Sequence, residues 1–246
     1  MSSEKNEGRI ELIIGPMFSG KSTRLIEVIR KYTYKAKKTL MIKFHADKRY
    51  SEKSEVVTHD LIKYDSIECK YLFDSFDILK NYDVIGIDEG QFFNDLVEVC
   101  EQLALLHKIV IVAALNGDFR MEPFPVVSRL FSKADKVKLM KAYCFNCHKD
   151  AKFSLRIVQS NEKVLIGAEE AYKPACRDCH KYFSEQREKG NLNMDIYNNL
   201  DLENKENQGE KKEENNLIMS KKVLRIKDDI SYSRDHILPS TKSEIV

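Results

Sequence analysis

The sequence lacks an excess of charge of one sign. Its 41 lysine and arginine residues stand against 39 aspartate and glutamate residues, which leaves a formal net charge of +2. Proteins that bind nucleic acid through their overall charge need a strong positive field, and this composition does not supply one. We therefore expect no nucleic-acid partner, and the simplest interpretation is that the charges are solvated.

Long apolar runs are also missing. No stretch of about 18 apolar residues occurs, so no transmembrane helix is expected. The N-terminal stretch MSSEKNEGRIEL has neither the apolar segment of a secretory signal nor the arginine-rich character of a transit peptide. These observations predict a cytoplasmic protein with no membrane partner. No internal repeat is visible.

Cysteine is present in a pattern that has a specific chemical meaning. Four of the six cysteines form two C-x-x-C pairs, at Cys144, Cys147, Cys176 and Cys179. In a reducing compartment such pairs are typical of metal ligands, and two pairs complete a tetrahedral site suited to structural Zn²⁺. A redox dithiol is the alternative. His148 and His180 adjoin the pairs but are not needed as ligands.

One motif indicates nucleotide binding. The stretch GPMFSGKST begins at Gly15 and fits G-x-x-x-x-G-K-[ST], between an apolar run and a segment with helical periodicity. Backbone N–H groups of such a loop and the following helix N-terminus bind phosphates, while Lys21 neutralises the outer phosphates. The predicted phosphate-binding residues, called the phosphate loop below, are Gly15, Pro16, Met17, Phe18, Ser19, Gly20, Lys21 and Ser22.

Two acidic residues at the end of another apolar run complete this chemistry. The hydroxyl of Ser22 and the carboxylate of Asp88, after VIGI, are the expected Mg²⁺ ligands. Glu89 comes next. A carboxylate in this place can activate water in an ATPase, or take a proton from an acceptor hydroxyl in a kinase. Spacing alone does not separate these two roles.

The order of predicted elements gives the fold class. Apolar strands are predicted at 9–14, 39–44, 83–88, 108–115 and 136–142, and helices at 21–34 and 93–106. Strands separated by helices favour an α/β fold with a parallel sheet covered on both faces. We predict four regions, namely a flexible N-terminus (1–8), a phosphate-loop α/β domain (9–143), a zinc-binding domain (144–183) and a low-complexity, mostly disordered tail (184–246).

Taken together, these segments resemble the type II thymidine kinase family. The resemblance runs from about Arg9 to Phe183 and rests on GPMFSGKST, D-x-R-Y at 47–50, VIGIDEGQFF at 84–93, VIVAALNGDFRMEPF at 110–124 and the cysteine pairs. It implies transfer of the γ-phosphate of ATP to the 5′-hydroxyl of thymidine or deoxyuridine with Mg²⁺, in pyrimidine deoxynucleotide salvage. A homotetramer and feedback inhibition by thymidine triphosphate are implied as well.

The resemblance also assigns roles to individual residues. It implies that Glu89 is the general base, and that the zinc-anchored loop closes over the nucleoside as a lasso. On the ATP side it adds Asp47, Lys48, Arg49, Asp88, Glu89, Gly90 and Gln91. Around the nucleoside it implies Met17, Phe92, Leu115, Phe119, Phe124, Ser154, Lys163, Val164, Leu165, Ile166, Gly167 and Tyr172. Without the resemblance, Phe119 and Phe124 would be interpreted as core residues.

The sequence departs from the family pattern at three places. Ser154 stands where the family usually has threonine, Lys163 occupies a lasso position that is often apolar, and Asn116 replaces a frequent aspartate. None of these changes removes a catalytic group. They bear on nucleoside affinity and on tolerance of base analogues.

Two other functions remain as alternatives. A nucleic-acid-dependent ATPase with a zinc ribbon would use the same loop and cysteines, but the near-neutral charge and the lack of a basic-aromatic stretch disfavour it. A nucleoside-monophosphate kinase with a zinc lid would carry its cysteines within the nucleotide fold rather than after it. In the tail, Lys205-Glu206-Asn207 matches a destruction signal of animal family members, and a signal of this kind stays a hypothesis because chance more often explains such a match in this composition.

Overall fold

A six-stranded parallel sheet with helices on both faces forms the centre of the molecule. The structure is a computed structural model, and its described residues are 7–45, 55–57, 63–160, 170–190 and 192. Those up to Leu192 belong to one compact unit. The predicted α/β class is therefore confirmed, while the predicted division at residue 144 stays a prediction.

Twelve strands and five α-helices lie in the described ranges. The strands are β1 (Arg9–Gly15), β2 (Thr39–Phe44), β3 (Glu55–Val57), β4 (Lys63–Asp65), β5 (Ile67–Cys69), β6 (Val84–Ile87), β7 (Ile109–Leu115), β8 (Lys136–Leu139), β9 (Ala142–Tyr143), β10 (Asp150–Ala151), β11 (Phe153–Arg156) and β12 (Tyr172–Ala175). The helices are α1 (Lys21–Tyr34), α2 (Phe76–Leu79), α3 (Leu96–Leu105), α4 (Pro125–Phe131) and α5 (Arg177–Glu188), with 3₁₀ turns at Leu72–Ser75 and Gly90–Phe92. Among the described helices, none has the length and apolar character needed to cross a bilayer.

The order of strands in the sheet is β5-β2-β6-β7-β1-β8. Side chains alternate across a strand, so the continuous apolar run of β7 is buried on both faces of the sheet. Val110, Val112 and Ala114 pack on the face covered by α3. Ile109 and Ile111 pack on the opposite face, which α1 covers. Burying each of these valine and isoleucine side chains contributes about 1.5–3 kcal/mol, which explains why the central strands are the most apolar ones.

The sheet brings three chain segments to one edge. In the register of the parallel strands, Gly15 at the end of β1 lies beside Leu115 at the end of β7, and Ile87 at the end of β6 lies beside Val112. Loops that leave the carboxyl ends of parallel strands meet at this edge, where α/β folds bind their ligands. The phosphate loop, the acidic pair after β6 and the loop after β7 therefore converge.

One predicted strand is divided in the structure. The expected strand at 136–142 pairs with β1 only over Lys136–Leu139, and Met140 makes the last backbone hydrogen bond, to Ile14, at 2.7 Å. Ala142 and Tyr143 then pair with the antiparallel β10. The predicted single strand was wrong because the alternation of its side chains continues across the point where the chain leaves the sheet. Strands β3, β4 and β5 were not predicted.

The cysteine-bearing part of the chain, here called the cysteine lobe, consists of β9 to β12 and α5. Two short antiparallel pairs, β9–β10 and β11–β12, bring the two C-x-x-C turns together. Cys176 precedes the first residue of α5, and Cys179 lies in its first turn. The described part of the lobe thus consists of two short antiparallel strand pairs and one helix that meet at the cysteines.

Candidate active site and metal centre

The phosphate loop depends on its two glycines for different physical reasons. Gly20 has a φ of 76°, and a Cβ there would meet no atom within 4 Å, so the requirement is the left-handed backbone. At Gly15 a Cβ would lie 2.8 Å from the carbonyl oxygen of Met140. Close approach of two backbone segments therefore requires the first glycine, and loop conformation requires the second.

The loop places positive charge at its centre. The ammonium of Lys21 is mostly buried and donates to the carbonyl oxygen of Pro16 at 2.7 Å, and Ser19 Oγ donates to the same oxygen at 2.8 Å. Helix α1 begins at Lys21 and has no acidic residue in its first turn. The positive end of the helix dipole therefore acts together with the ammonium, and both favour an anion in the loop.

The two predicted magnesium ligands lie together. Ser22 Oγ donates to Asp88 Oδ1 at 3.1 Å, and the backbone N–H of Glu89 donates to the same oxygen at 3.1 Å. Asp88 is buried at the end of β6. A hydroxyl and a carboxylate oxygen are ligands that Mg²⁺ accepts beside phosphate and water. The residues present therefore fit the ion.

Glu89 occupies an unusual backbone conformation. Its φ of 53° and ψ of 42° lie in the left-handed region, which costs a residue with a Cβ roughly 1–3 kcal/mol. Gln91 Nε2 donates to Glu89 Oε2, and Gln91 Oε1 accepts from the backbone N–H of Leu115 at 3.0 Å. The carboxylate is thus held at the edge of the sheet by an amide that is itself anchored on β7.

A second, smaller apolar cluster lies beside the loop, separate from the sheet core. This aromatic cluster consists of four buried residues, with Phe18, Leu115 and Val158 packed against it: Met17, Phe119, Ala171 and Tyr172. The backbone N–H of Met17 donates to Ser154 Oγ at 3.0 Å, which joins the phosphate loop to β11. Asn116, after β7, donates to the carbonyl oxygen of Lys152 at 3.1 Å.

Five of the predicted nucleoside-binding residues therefore lie in one place: Met17, Leu115, Phe119, Ser154 and Tyr172. Two others, Phe92 and Phe124, are not members of the aromatic cluster. Phe124 packs in the sheet core, and the ring of Phe92 lies 5.4 Å from that of Phe44, beside the same core.

A buried arginine, which the sequence analysis missed, lies against the aromatic cluster. Arg156 is 0 % exposed, its guanidinium carbon lies 3.8 Å from the centroid of the Phe119 ring, and its Nη2 donates to the hydroxyl of Tyr172 at 2.6 Å. Residues i and i+2 of a strand share a face. Arg156 follows Ser154 by two residues in the same strand, so the prediction of Ser154 as a site residue could have led to Arg156 as well.

Two more guanidinium groups surround the same ring. Those of Arg120 and Arg187 each lie 4.9 Å from the centroid of Phe119. Burial, together with the positive charges of Arg156 and Arg120, lowers the pKa of Arg187, against the opposite effect of Glu188. Three guanidinium groups therefore lie close to the ring of Phe119, whose negative face attracts cations.

The four cysteines of the two pairs converge. Their sulfur atoms all lie within 4.8 Å of one another, and those of Cys147 and Cys176 are separated by 3.6 Å. Four sulfurs about 2.3 Å from a central ion in a tetrahedron lie about 3.8 Å apart, so the donor set fits Zn²⁺. All four cysteines are free of disulfides. The cluster can therefore hold a metal ion.

The ionisation of the cysteines supports this interpretation. Burial raises the pKa of Cys144, but backbone N–H groups of Cys147, Cys176 and Asn146 outweigh it and lower the value to about 7. Burial and the neighbouring thiols raise the pKa of Cys179 to about 12. One thiolate forms readily and opposes the ionisation of the others, so a cation would be needed to stabilise all four. Burial also raises the pKa of Cys69, outside the cluster, to about 11.

His180 has a different role from that of a metal ligand. The side chain is buried, and Nε2 donates to the backbone carbonyl oxygen of Phe119 at 2.9 Å. Burial lowers the pKa of its imidazole. Because α5 begins beside Cys176 and carries His180 in its first turn, the histidine joins the cysteine cluster to the loop that presents Phe119.

Several predicted site residues lie outside the described ranges. On the ATP side these are Asp47, Lys48 and Arg49. On the nucleoside side they are Lys163, Val164, Leu165, Ile166 and Gly167. Lys205-Glu206-Asn207 and the remainder of the predicted tail beyond Leu192 are outside them as well.

Comparison with known proteins places this geometry in context. The family model described as thymidine kinase matches residues 8–180. A protein named thymidine kinase 1 from Dictyostelium discoideum is 47% identical over 184 residues, which cover 74% of this chain and 80% of that protein. The thymidine kinase of sheeppox virus is 44% identical over 70% of this chain and 97% of its own length. That of raccoon poxvirus is 45% identical over 71% of this chain and 98% of its own.

Proposed function

Because the chain belongs to the thymidine kinase family, we propose that it transfers the γ-phosphate of ATP to the 5′-hydroxyl of thymidine. Deoxyuridine is the second acceptor in this proposal, and the reaction serves the salvage of pyrimidine deoxynucleosides. Relatives named thymidine kinase, at 44–47% identity, support the choice of acceptor.

The observation that carries the proposal is the position of Met17. This residue belongs to the phosphate loop, its side chain lies in the aromatic cluster, and its backbone N–H bonds Ser154. A single residue therefore joins a phosphate site to an apolar, aromatic-lined site. A planar base held by aromatic groups and a triphosphate held by the loop would be bound side by side, as a direct phosphoryl transfer requires.

On the donor side, the chain's own groups bind and orient ATP. Residues Gly15 to Ser22 are proposed to hold the phosphates through backbone N–H groups other than those of Pro16 and Met17 and through the Lys21 ammonium, with Gly90 and Gln91 beside them. Ser22 and Asp88 are proposed to hold Mg²⁺, which when bound neutralises charge on the β- and γ-phosphates. Asp47, Lys48 and Arg49 remain predicted contributors to this side.

Glu89 is proposed to be the general base. Its carboxylate would take the proton of the 5′-hydroxyl while that oxygen attacks the γ-phosphorus and the bond to the β–γ bridging oxygen breaks, releasing ADP. The left-handed backbone and the bond from Gln91 support this role, because both restrict the direction of the carboxylate. Such strain is common where a side chain must be held in place for reaction.

On the acceptor side, the aromatic cluster is proposed to bind the nucleoside. Phe119 would stack on the base, Tyr172 would close the sugar side, and Ser154 would lie near the base edge. Aromatic faces suit a flat base and exclude water, which limits wasteful hydrolysis of ATP. Phe92, Phe124 and the lasso backbone at 163–167 remain predicted contributors.

The cysteine cluster is proposed to be a structural zinc site. Four thiolates leave no coordination position open for a substrate, so the ion would stabilise the lobe rather than act on the nucleoside. The free state of all six cysteines suits a reducing compartment, and we propose the cytoplasm. A homotetramer and inhibition by thymidine triphosphate complete the proposal, by resemblance to the family.

One assay tests the function directly. Purified protein is incubated with γ-labelled ATP, Mg²⁺ and a panel of nucleosides, and label on each nucleoside is measured. The proposal expects label on thymidine and deoxyuridine, and far less on purine nucleosides. A parallel reaction with single-stranded DNA measures ATP hydrolysis. DNA-stimulated hydrolysis without labelled nucleoside would favour the ATPase alternative instead.

A further inference from the structure

Among the described residues, Arg156 is the largest side chain that is fully buried, at 0 % exposure. Burying a guanidinium is strongly unfavourable unless its charge and hydrogen-bond donors find partners. The partners of this guanidinium are unusually specific. They include the ring of Phe119 on the loop after β7, the hydroxyl of Tyr172 in β12, and the carbonyl oxygen of Ser160 at 3.2 Å.

Those first two partners are the aromatic residues of the cluster beside the phosphate loop. The residues come from different parts of the chain, and Arg156 in β11 contacts both. Its guanidinium is planar, so the direction of one hydrogen bond restricts the whole group. The bond to Tyr172 therefore also restricts where the cation lies against Phe119.

The two neighbouring arginines contact the Phe119 ring less closely than Arg156 does. Arg187 and Arg120 lie farther from the Phe119 ring, at 4.9 Å, and Arg120 is exposed. Arg187 Nη1 lies 3.5 Å from the backbone oxygen of Arg156, so it contacts the backbone that carries Arg156. Of the three guanidinium groups, that of Arg156 lies nearest to the Phe119 ring, and it also donates a hydrogen bond to the hydroxyl of Tyr172.

We propose that Arg156 is a positioning residue of the nucleoside pocket, which holds Phe119 and Tyr172 in the mutual orientation that binds the base. The inference rests on the proposed function and adds a residue to it. Arg156 acts through the two aromatic groups, and it lies on the acceptor side of Met17, so its effect is on nucleoside binding rather than on ATP.

The main test is Arg156→Lys, which keeps the positive charge but removes the planar group. We expect the KM for thymidine to rise roughly tenfold, with the KM for ATP and the kcat at saturating thymidine within about twofold of the parent. Thymidine affinity measured by calorimetry should fall by the same factor. An unchanged KM for thymidine would overturn the proposal.

The matched control is Arg177→Lys. Arg177 lies in the same lobe, and its guanidinium also lies over a phenylalanine ring, that of Phe153, at 4.7 Å. It is exposed, and Phe153 is not a member of the aromatic cluster. Both kinetic constants should stay within about twofold of the parent. An equal rise in the thymidine KM for both variants would mean that any arginine of the lobe has this effect, which would overturn the specific role.

A double variant tests the pathway of the effect. If Arg156 acts by holding Tyr172, then Arg156→Lys and Tyr172→Phe remove the same contact, and their effects on the thymidine KM should not multiply. Fully multiplicative effects would exclude action through Tyr172.

Stability and function are separated by two further measurements. Near-ultraviolet circular dichroism and zinc content show whether each variant is folded, and Arg156→Gln replaces Arg156→Lys if the lysine variant is not. Loss of the fold in both would make the residue structural and overturn the proposal. A parent protein that phosphorylates no nucleoside would refute the proposed function itself, whereas an active parent with an unaffected Arg156→Lys variant would refute only this inference.

Discussion

The phosphate loop and the aromatic cluster are neighbours, but they are built in opposite ways. The loop is one continuous segment whose geometry comes from backbone conformation, with Gly20 in the left-handed region and Lys21 bonded to Pro16. The cluster takes its residues from three separate segments, and contacts such as Ser154 to Met17 and Arg156 to Tyr172 hold them together.

This difference has a functional consequence. A site built from local backbone needs few supporting contacts, so changes in it should act on the reaction itself. A site assembled from distant side chains depends on every contact that aligns them, so changes in it should act mainly on the affinity for the acceptor. The predictions below test that division, from the largest expected effect to the smallest.

The largest effect is expected at the proposed general base. Glu89→Gln removes the proposed base but keeps the shape of the side chain, so kcat should fall roughly 100- to 10,000-fold while ATP and thymidine still bind. Rapid-quench measurement of labelled thymidine monophosphate, with calorimetry for both ligands, checks this. The control is Glu101→Gln, because Glu101 forms an exposed ion pair with Lys133. Near-normal turnover of Glu89→Gln would refute the general-base role.

Removal of the metal should act on the acceptor side through α5. Cys176→Ser breaks the ligand set at the start of the helix that carries His180 to the Phe119 carbonyl. Loss of about 1.4 kcal/mol of nucleoside binding would raise the thymidine KM roughly tenfold. The zinc content and the ATP affinity are measured alongside. We expect zinc to be lost and ATP to bind as before.

The control for this variant is Cys69→Ala, which changes a buried cysteine outside the cluster. It should keep its zinc. Full thymidine affinity in zinc-free Cys176→Ser would show that the metal does not support the pocket. An equal loss of ATP binding would instead show that the phosphate loop and the aromatic cluster do not act separately.

A smaller effect is expected where the two sites touch. Ser154→Ala removes the acceptor of the Met17 N–H, and a buried donor left without a partner costs about 1–3 kcal/mol. Both the thymidine KM and the ATP KM should therefore rise several-fold, because Met17 belongs to both sites. Ser154→Thr, which keeps the hydroxyl, is the matched control. A change in only one KM would locate the contact on that side.

The smallest effect is expected far from both sites. Arg129 and Glu98 form an exposed ion pair between α4 and α3, and hydrogen bonding with Arg129 holds the pKa of Glu98 below its ordinary value. Exposed pairs are screened by solvent and contribute little. Arg129→Gln should leave the denaturation midpoint and both KM values unchanged. A measurable kinetic change would reveal coupling between this surface and the site.

Much of the donor side could be predicted from the sequence because its information is local. The phosphate loop, the apolar run before Asp88 and the helix at 21–34 each follow from adjacent residues, and the structure has α1 at Lys21–Tyr34. The contact between Ser22 and Asp88 also follows, because parallel strands bring their carboxyl ends to one edge.

The acceptor side was harder to predict. No sequence pattern distinguishes Phe119 from Phe124. In the structure, Phe119 lies in the aromatic cluster and Phe124 packs in the sheet core. The alternation of apolar and polar residues at 136–142 continues past the end of β8, so it did not show where the strand ends. The sequence analysis also predicted neither the position of Arg156 nor the hydrogen bond from His180 to Phe119. Each of these features depends on which distant segment a residue contacts in the folded chain, and local sequence patterns do not contain that information.

By itself, the sequence determined the α/β class, the phosphate loop with its acidic pair, and the cysteine spacing of a metal site. Backbone conformation and short-range spacing encode all three. The tertiary structure alone decided that Met17 joins the two sites, that His180 connects the cysteine cluster to Phe119, and that a buried guanidinium lies between Phe119 and Tyr172. The physical reason is that these contacts link residues far apart in the chain, and only the packing of the sheet, the loop after β7 and the cysteine lobe brings them together.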